Sequence, residues 1–328
     1  VSSETYTSAV AQMDLEYTKR DQKTDYDEAS ATKIALSESS ATVTGTGAAV
    51  EGTTVTISEE GTYILSGNYQ GQIKVACDNE DAKVQLVLNG VNIVNENGSA
   101  IFIKKADKVF ITLPAGTLNA LADGANYQTT SEEDTTKAAL YSKADLTING
   151  SGELAVAGNY CDGISSNDDL VFVGGTYEVT AKEDAIRGKD CVKIKDGTFN
   201  VEAGNDAIKS SNDEELETRG FVVIDGGTFT LTAGDDAVHA ETVLAINDGV
   251  FNVLGCIEGF EGQKVFLNGG VSHIVASDDG VNASAPGESA ADLAKQGGNL
   301  QQPNADTQQG QTMQPPTGDN IQNGQQAP

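Results

Sequence analysis

From residue 162 onward, short apolar runs and polar turns alternate on a fixed beat. Each beat opens with an acid, a small residue and a larger apolar one: Asp162-Gly163-Ile164, Asp184-Ala185-Ile186, Asp206-Ala207-Ile208, Asp236-Ala237-Val238, Glu258-Gly259-Phe260 and Asp279-Gly280-Val281. The acids are 22, 22, 30, 22 and 21 residues apart, which is a repeat of about 22 with one insertion. A continuous apolar run closed by a turn comes next, as in Leu170-Val171-Phe172-Val173 before Gly174-Gly175, or Phe221-Val222-Val223-Ile224 before Gly226-Gly227. The third segment alternates strictly: Thr176-Tyr177-Glu178-Val179, Thr198-Phe199-Asn200-Val201, Thr228-Phe229-Thr230-Leu231, Val250-Phe251-Asn252-Val253. Period-two alternation bounded by glycine turns reads as a strand with one buried face.

Three short strands per repeat predict an all-β fold, a single-stranded parallel β-helix in which each coil advances by about 4.8 Å. Each strand would pair with its equivalent one coil later. Tyr177, Phe199, Phe229 and Phe251 would then stack as an aromatic ladder, and Ile164, Ile186, Ile208, Val238, Phe260 and Val281 as an apolar one. Weaker matches, such as Val84-Gln85-Leu86-Val87-Leu88 and Leu146-Thr147-Ile148, extend the helix over residues 41–283. Residues 1–40 are polar, and 17–28 are expected to cap the open end of the helix. Residues 284–328 hold five of the six prolines and many glutamines, so a disordered tail is expected there. Residues 123–137 and 211–220 break the period as acidic excursions, the kind of loop in which binding tends to reside.

The charge narrows the partners. Forty-nine acids against 20 bases give the 328 residues a formal charge of -29, which repels nucleic acid and anionic membrane surfaces. No apolar run approaches the length of a membrane span, so no membrane insertion is expected, and the chain is taken to be a monomer. The start, Val1-Ser2-Ser3-Glu4, lacks the basic and apolar regions of a signal segment. With the Thr-, Ser-, Gly-, Asn- and Asp-rich composition, this suggests a processed, secreted or surface-attached bacterial protein. Cys77, Cys161, Cys191 and Cys256 have no zinc spacing and are expected to pack as small hydrophobes rather than as disulfides.

Stacking would bring Asp162, Asp184, Asp206 and Asp236 to about one strand spacing of each other. Glu183, Asn205 and Asp235 thicken the row. Like charges so placed call for a cation, and Ca²⁺, with about six to eight oxygen ligands, suits all seven as ligands. A solvated acidic ridge is the alternative. Arg187, Lys209 and His239 each follow an acid by three positions, so they would either neutralise the row or face a sugar carboxylate. His239 and His273 are the only histidines, and neither completes a nucleophilic triad.

Asp81-Ala82-Lys83-Val84-Gln85-Leu86-Val87-Leu88-Asn89-Gly90, Lys105-Ala106-Asp107-Lys108-Val109-Phe110-Ile111-Thr112-Leu113, Leu146-Thr147-Ile148-Asn149-Gly150-Ser151-Gly152 and Asp184-Ala185-Ile186-Arg187-Gly188-Lys189-Asp190 carry a resemblance. The chain from about residue 20 to 283 resembles the clostridial cellulosome-associated family of carbohydrate-binding β-helix proteins, related in fold to pectate lyases. The resemblance implies a secreted, right-handed helix that binds calcium and plant cell-wall polysaccharide such as cellulose or polygalacturonate. Two features depart from it. There is no Trp and most Phe fall at core positions, which leaves Tyr127, Tyr141 and above all Tyr160 for stacking on sugars. Glu258 replaces Asp, and the calcium row is expected to end there.

Three functions stay open. The first is non-catalytic, calcium-dependent polysaccharide binding at the bacterial surface, with Arg187, Lys209, His239 and Tyr160 as ligand-binding residues. The second is a pectate-lyase-like calcium enzyme with Lys209 as the base, against which acidic surroundings weigh because they keep a lysine protonated. The third is a structural spacer or adhesin.

Overall fold

The computed structural model of the chain describes residues 3–127 and 135–283. Among them, 27 strands join in one largely parallel sheet, and the helix Ser3–Ala9 stands apart. The strands fall into three ladders, or faces. The first face contains Ala138–Ser142, Asp162–Ser166, Ile186–Gly188, Ile208–Ser210 and the starts of Val238–Ile246 and Phe260–Leu267, ending at Val281–Ala283. On the second are Lys108–Leu113, Asp145–Gly150, Asp169–Phe172, Cys191–Ile194 and Phe221–Ile224. The third runs through Leu118–Asp123, Glu153–Gly158, Thr176–Ala181, Thr198–Ala203, Thr228–Ala233, Val250–Cys256 and Val271–Ala276.

The register follows the repeat. Ile164 pairs with Ile186, then Ile208, Val238, Phe260 and Val281 in turn. The aromatic ladder forms as the alternation predicts, with Tyr177 to Phe199, Phe199 to Phe229 and Phe229 to Phe251 stacked at 4.8, 4.9 and 4.4 Å. Phe172 and Phe260 meet this column edge-on at 5.1 and 5.3 Å, from Tyr177 and Phe251 respectively. Contacts of this kind are worth about 0.5–1.5 kcal/mol each beyond the area buried. The turns before the ladder require glycine for two reasons. Gly227 has φ of +116°, and a Cβ there would lie 3.1 Å from the Phe229 ring; Gly249 stands in the same relation to Phe251. The last coil leaves Leu267, Val271 and Val275 more than half exposed. All four cysteines are buried free thiols.

The N-terminal segment departs from the expected arrangement. Parallel pairing already begins at Thr32–Glu38, which pairs with Gly61–Gln70 and, antiparallel, with Ser40–Thr44. Residues 17–23 lie against the second face rather than over the open end. Residues 6–23 form a strap along the outside of that face, running from late coils back to early ones. Tyr6 packs on Phe266 at 5.2 Å, and Val10 and Met13 join a cluster with Phe221, Val223, Val243 and Ala245. The buried Lys193 ammonium donates to the Asp14 and Glu16 carbonyls at 3.0 and 3.1 Å, while the Arg20 guanidinium lies 4.3 Å from the Phe110 ring centre. The physical cause lies in the second-face sequence. Phe221–Ile224 is buried at every position, so its outward Phe221 and Val223 need a cover that alternating strands do not. The tail and the acidic stretch Glu132-Glu133-Asp134 lie outside the described residues.

Candidate acidic corner and adjoining pocket

Each acid of the repeat sits where the chain turns from the third face into the first. The fully buried Ala185, Ala207 and Ala237 beside them allow close approach, and their amides donate to the carbonyls of Asp206, Asp236 and Glu258 one coil on. The carboxylates reinforce the same step. Asp184 Oδ1 accepts the Asp206 amide at 3.2 Å, and Asp206 Oδ1 accepts the Asp236 amide at 2.9 Å. One oxygen of each therefore helps fix the coil spacing.

The other oxygen meets the basic row. Arg187, Lys209, His239 and Glu261 are in register on the first face. Lys209 donates to Asp206 Oδ2, while His239 Nδ1 lies 2.8 Å from both Asp236 Oδ2 and Glu261 Oε2. Arg187 reaches between Asp184 and Asp162 at 3.8 and 3.9 Å. Burial opposes the charge on Lys209, yet Asp206 outweighs it and raises its pKa, the wrong direction for a general base. Burial likewise opposes the charge on His239, but the Asp236 hydrogen bond and the charges of Asp206 and Glu261 carry its pKa up to about 9. Its contribution to stability is therefore full below the ordinary histidine pKa and is lost as pH rises through about 9. The thermal midpoint is expected to fall between pH 7 and 10, and to fall less in His239→Gln; equal slopes would contradict the pairing.

The seven candidate ligands do not form one cage. Asp162 and Glu183 meet beside Cys161, with one ligand atom of each within 4.8 Å of the others. Asp184 Oδ1 accepts from Asn205 Nδ2 at 2.6 Å, and Asp206 and Asp236 cluster with His239. Asp235 is half-buried and joins none of these clusters. Glu258, where the calcium row is expected to end, clusters with Asp236 and Glu261. Residues 211–220 lie away from this acidic row. They follow the far end of the Ile208–Ser210 strand and are tied to the buried Asp190 through Asn212, at 2.7 Å, and Arg219.

At the Asp162 end the row opens into a pocket of about 400 Å³, lined among others by Lys137, Tyr160, Cys161, Lys182 and Glu183. Tyr160 is 38 % exposed and stacks on Tyr127 with ring centres 4.2 Å apart. Tyr127 is fixed in turn by donating to the buried Asp123 at 2.5 Å. Of the three tyrosines considered for sugar stacking, Tyr141 lines the same pocket but is largely buried and donates to Asn167. The Asp162 carboxyl is buried, and its Oδ2 accepts no hydrogen bond. Burial, and then the charge of Asp184, push its pKa up to about 6. A buried carboxylate whose Oδ2 meets only Arg187, at 3.9 Å, and which adjoins the pocket-lining Cys161, is the donor chemistry a hard cation requires. Asp206 and Asp236 fit less well, since protein donors hold both oxygens of Asp206 and backbone and histidine contacts crowd the pair.

Lys137 and Lys182 escaped the sequence reading. Lys182 occupies the place of Gly204 and Gly234 in the next two coils, so a departure from the repeat was the available signal.

Known proteins give context to this geometry. The family model of carbohydrate-binding domain-containing proteins matches residues 51–310. A carbohydrate-binding domain-containing protein of Acetivibrio thermocellus is 41% identical over 129 residues, which is 39% of this chain and 45% of that protein. The chain thus spans less than half the length of that relative. A solved structure of a polysaccharide lyase-like protein from C. thermocellum, in a gadolinium derivative, matches with a TM-score of 0.65 and 32% identity, over 76% of this chain and 98% of that one.

Proposed function

Because the chain belongs to the family of carbohydrate-binding domain-containing proteins, we propose that it is a non-catalytic, calcium-dependent binder of acidic plant cell-wall polysaccharide. In this reading it is a monomeric, right-handed parallel β-helix, secreted or held at a bacterial surface. The observation that carries it is one pocket lined both by Tyr160, which stacks on Tyr127, and by Cys161 and Glu183, which cluster with the under-satisfied Asp162 carboxylate. Asp162 and Glu183 would hold Ca²⁺, leaving the remaining ligand positions for water and a uronate carboxylate. The bound ion supplies positive charge that lets a chain of formal charge -29 accept an anionic polymer. Lys137 and Lys182 line the same pocket and face the polymer's other carboxylates, and Tyr160 offers its ring face to a sugar. Cleavage is disfavoured by Lys209, which its bond to Asp206 keeps protonated.

Retention on immobilised polygalacturonate, with and without a calcium chelator, tests the reading. Wild type is expected to be retained only with calcium, and Asp162→Asn or Glu183→Gln to weaken retention by about tenfold or more. Calcium at about 100 times its Kd should also stabilise the fold by about 2.7 kcal/mol. Retention or melting indifferent to the chelator would sink the calcium step, and unsaturated products would favour a lyase.

A further inference from the structure

The position just before each acid of the repeat forms a column of its own. The amides of Glu183, Asn205, Asp235, Ile257 and Asp278 each donate to the carbonyl of the residue one coil earlier in that column, at 2.7 to 3.1 Å, and the column starts at Cys161. Where the next three coils carry a side-chain oxygen, this coil therefore carries sulfur. The buried Cys161 thiol donates to Glu183 Oε2 at 2.7 Å and to Asp162 Oδ1 at 3.4 Å. Among the described residues no other cysteine belongs to a group of ligand atoms so close together. The Asp162 carboxyl is 2 % exposed, and its Oδ2 accepts no hydrogen bond. A buried carboxylate left in that condition beside a thiol calls for a partner that neither of them supplies.

We infer that Cys161, Asp162 and Glu183 form a site for a thiophilic divalent cation of the zinc class, held by the Cys161 thiolate and the two carboxylates. The donor set decides the ion. Calcium takes oxygen ligands and leaves a thiol outside its shell, whereas zinc accepts sulfur and carboxylate together. In a tetrahedral shell, sulfur at about 2.3 Å and oxygen at about 2.0–2.2 Å from the ion stand about 3.5 Å apart, and Cys161 Sγ and Asp162 Oδ1 are 3.4 Å apart. Glu183 is exposed, so its carboxylate can swing out to the same separation. Cys161 and Glu183 both line the pocket, which gives the ion its way in and leaves a fourth position for water. As the sulfur–metal bond forms, the S–H bond breaks and its proton passes to solvent, with no change of oxidation state. The usual close zinc spacing is absent from the sequence because the ligands come from successive coils, with Glu183 22 residues beyond Cys161. The inference deepens the calcium reading above, since it shares Asp162 and Glu183 and names a second class of cation that competes for them.

Cadmium is the probe, because a cadmium–thiolate bond absorbs in the ultraviolet and a cadmium–carboxylate contact does not. The full chain, freed of calcium and kept reduced with a phosphine, is expected to gain this absorbance on titration with Cd²⁺ up to one equivalent. Zn²⁺ should remove the signal, and about a hundredfold excess of Ca²⁺ should not. Cys161→Ser is expected to abolish it. Glu183→Gln, at an exposed position that leaves folding intact, should weaken cadmium affinity by about tenfold or more. No absorbance in wild type, equal absorbance in Cys161→Ser, or unchanged affinity in Glu183→Gln would each overturn the site. Retention on polygalacturonate judges the calcium reading separately. A chain with the cadmium signal but no calcium-dependent retention loses that reading alone, and one retained with calcium but silent with cadmium loses the thiophilic site alone.

Discussion

Phe229→Ala is expected to lower the stability of the coil stack by about 3–5 kcal/mol. The ring is fully buried and lies between Phe199 at 4.9 Å and Phe251 at 4.4 Å, with planes within 7° and 5° of parallel. Its neighbours cannot move in to fill the gap, because each is held at the coil spacing by parallel pairing on both sides. The loss therefore includes a cavity as well as the burial of the ring. Phe229→Leu keeps most of the volume and is expected to cost far less. Urea unfolding followed by far-ultraviolet dichroism measures both. A loss below about 1 kcal/mol for the alanine variant would show that the ladder is loosely packed.

Asp21→Ala is expected to release the strap. Asp21 Oδ1 accepts from Thr147 at 2.7 Å and lies 2.9 Å from Lys108 Nζ, while Oδ2 accepts from the Thr18 amide and hydroxyl at 2.8 and 2.7 Å. The aspartate is 2 % exposed, and removing it takes from the largely buried Lys108 its directly paired carboxylate, leaving Asp145 as the neighbouring acid, a change that typically costs up to about 3–5 kcal/mol. The pH dependence has a defined sign. Burial raises the Asp21 pKa, but the hydrogen bonds from Thr147, Lys108 and Thr18 outweigh it and hold it below the usual carboxylate range. Its stabilisation is present above the unfolded-state pKa of about 4 and is lost as pH falls through the lower folded value. Hydrogen exchange should show residues 6–23 losing protection in the variant, and in wild type at low pH, before the coils do. Unchanged protection of the strap in Asp21→Ala would contradict its role as the anchor.

The coil repeat was legible because one short phrase serves two purposes. Ile186 and Ile208 must reach the core, while Asp184 and Asp206 must stand at the turn, so spacing alone set the register. The basic row was legible for the same reason, since Arg187, Lys209 and His239 hold equivalent positions. The grouping of the acids was not. Which oxygen of Asp206 serves the backbone and which serves Lys209 depends on side-chain torsions that spacing does not encode. The strap was missed because its own sequence is polar and the matching signal lay elsewhere, in the unbroken apolar runs of the second face around Phe221 and Val223. Tyr141 was misjudged because its place in the first-face strand looked exposed, whereas it packs in a small cluster with Phe102 and Ala138.

The course of the strap also sets an order of events in the making of the protein. Residues 6–23 are synthesised before any coil, yet Tyr6 rests against Phe266 and Lys193 donates to the carbonyls of Asp14 and Glu16. The first part of the strap, from Tyr6 to Met13, must wait until nearly the last coil has emerged and stacked, whereas Arg20 and Asp21 can dock once the coils of Phe110 and Thr147 are in place. Contacts that span most of the chain are slow to close, so seating of that first part should be a late step. A chain halted within its coils lacks part of the docking surface, and its outward Phe221 and Val223 stay bare. Full occupancy of that surface thus marks a molecule whose coils have all been laid down.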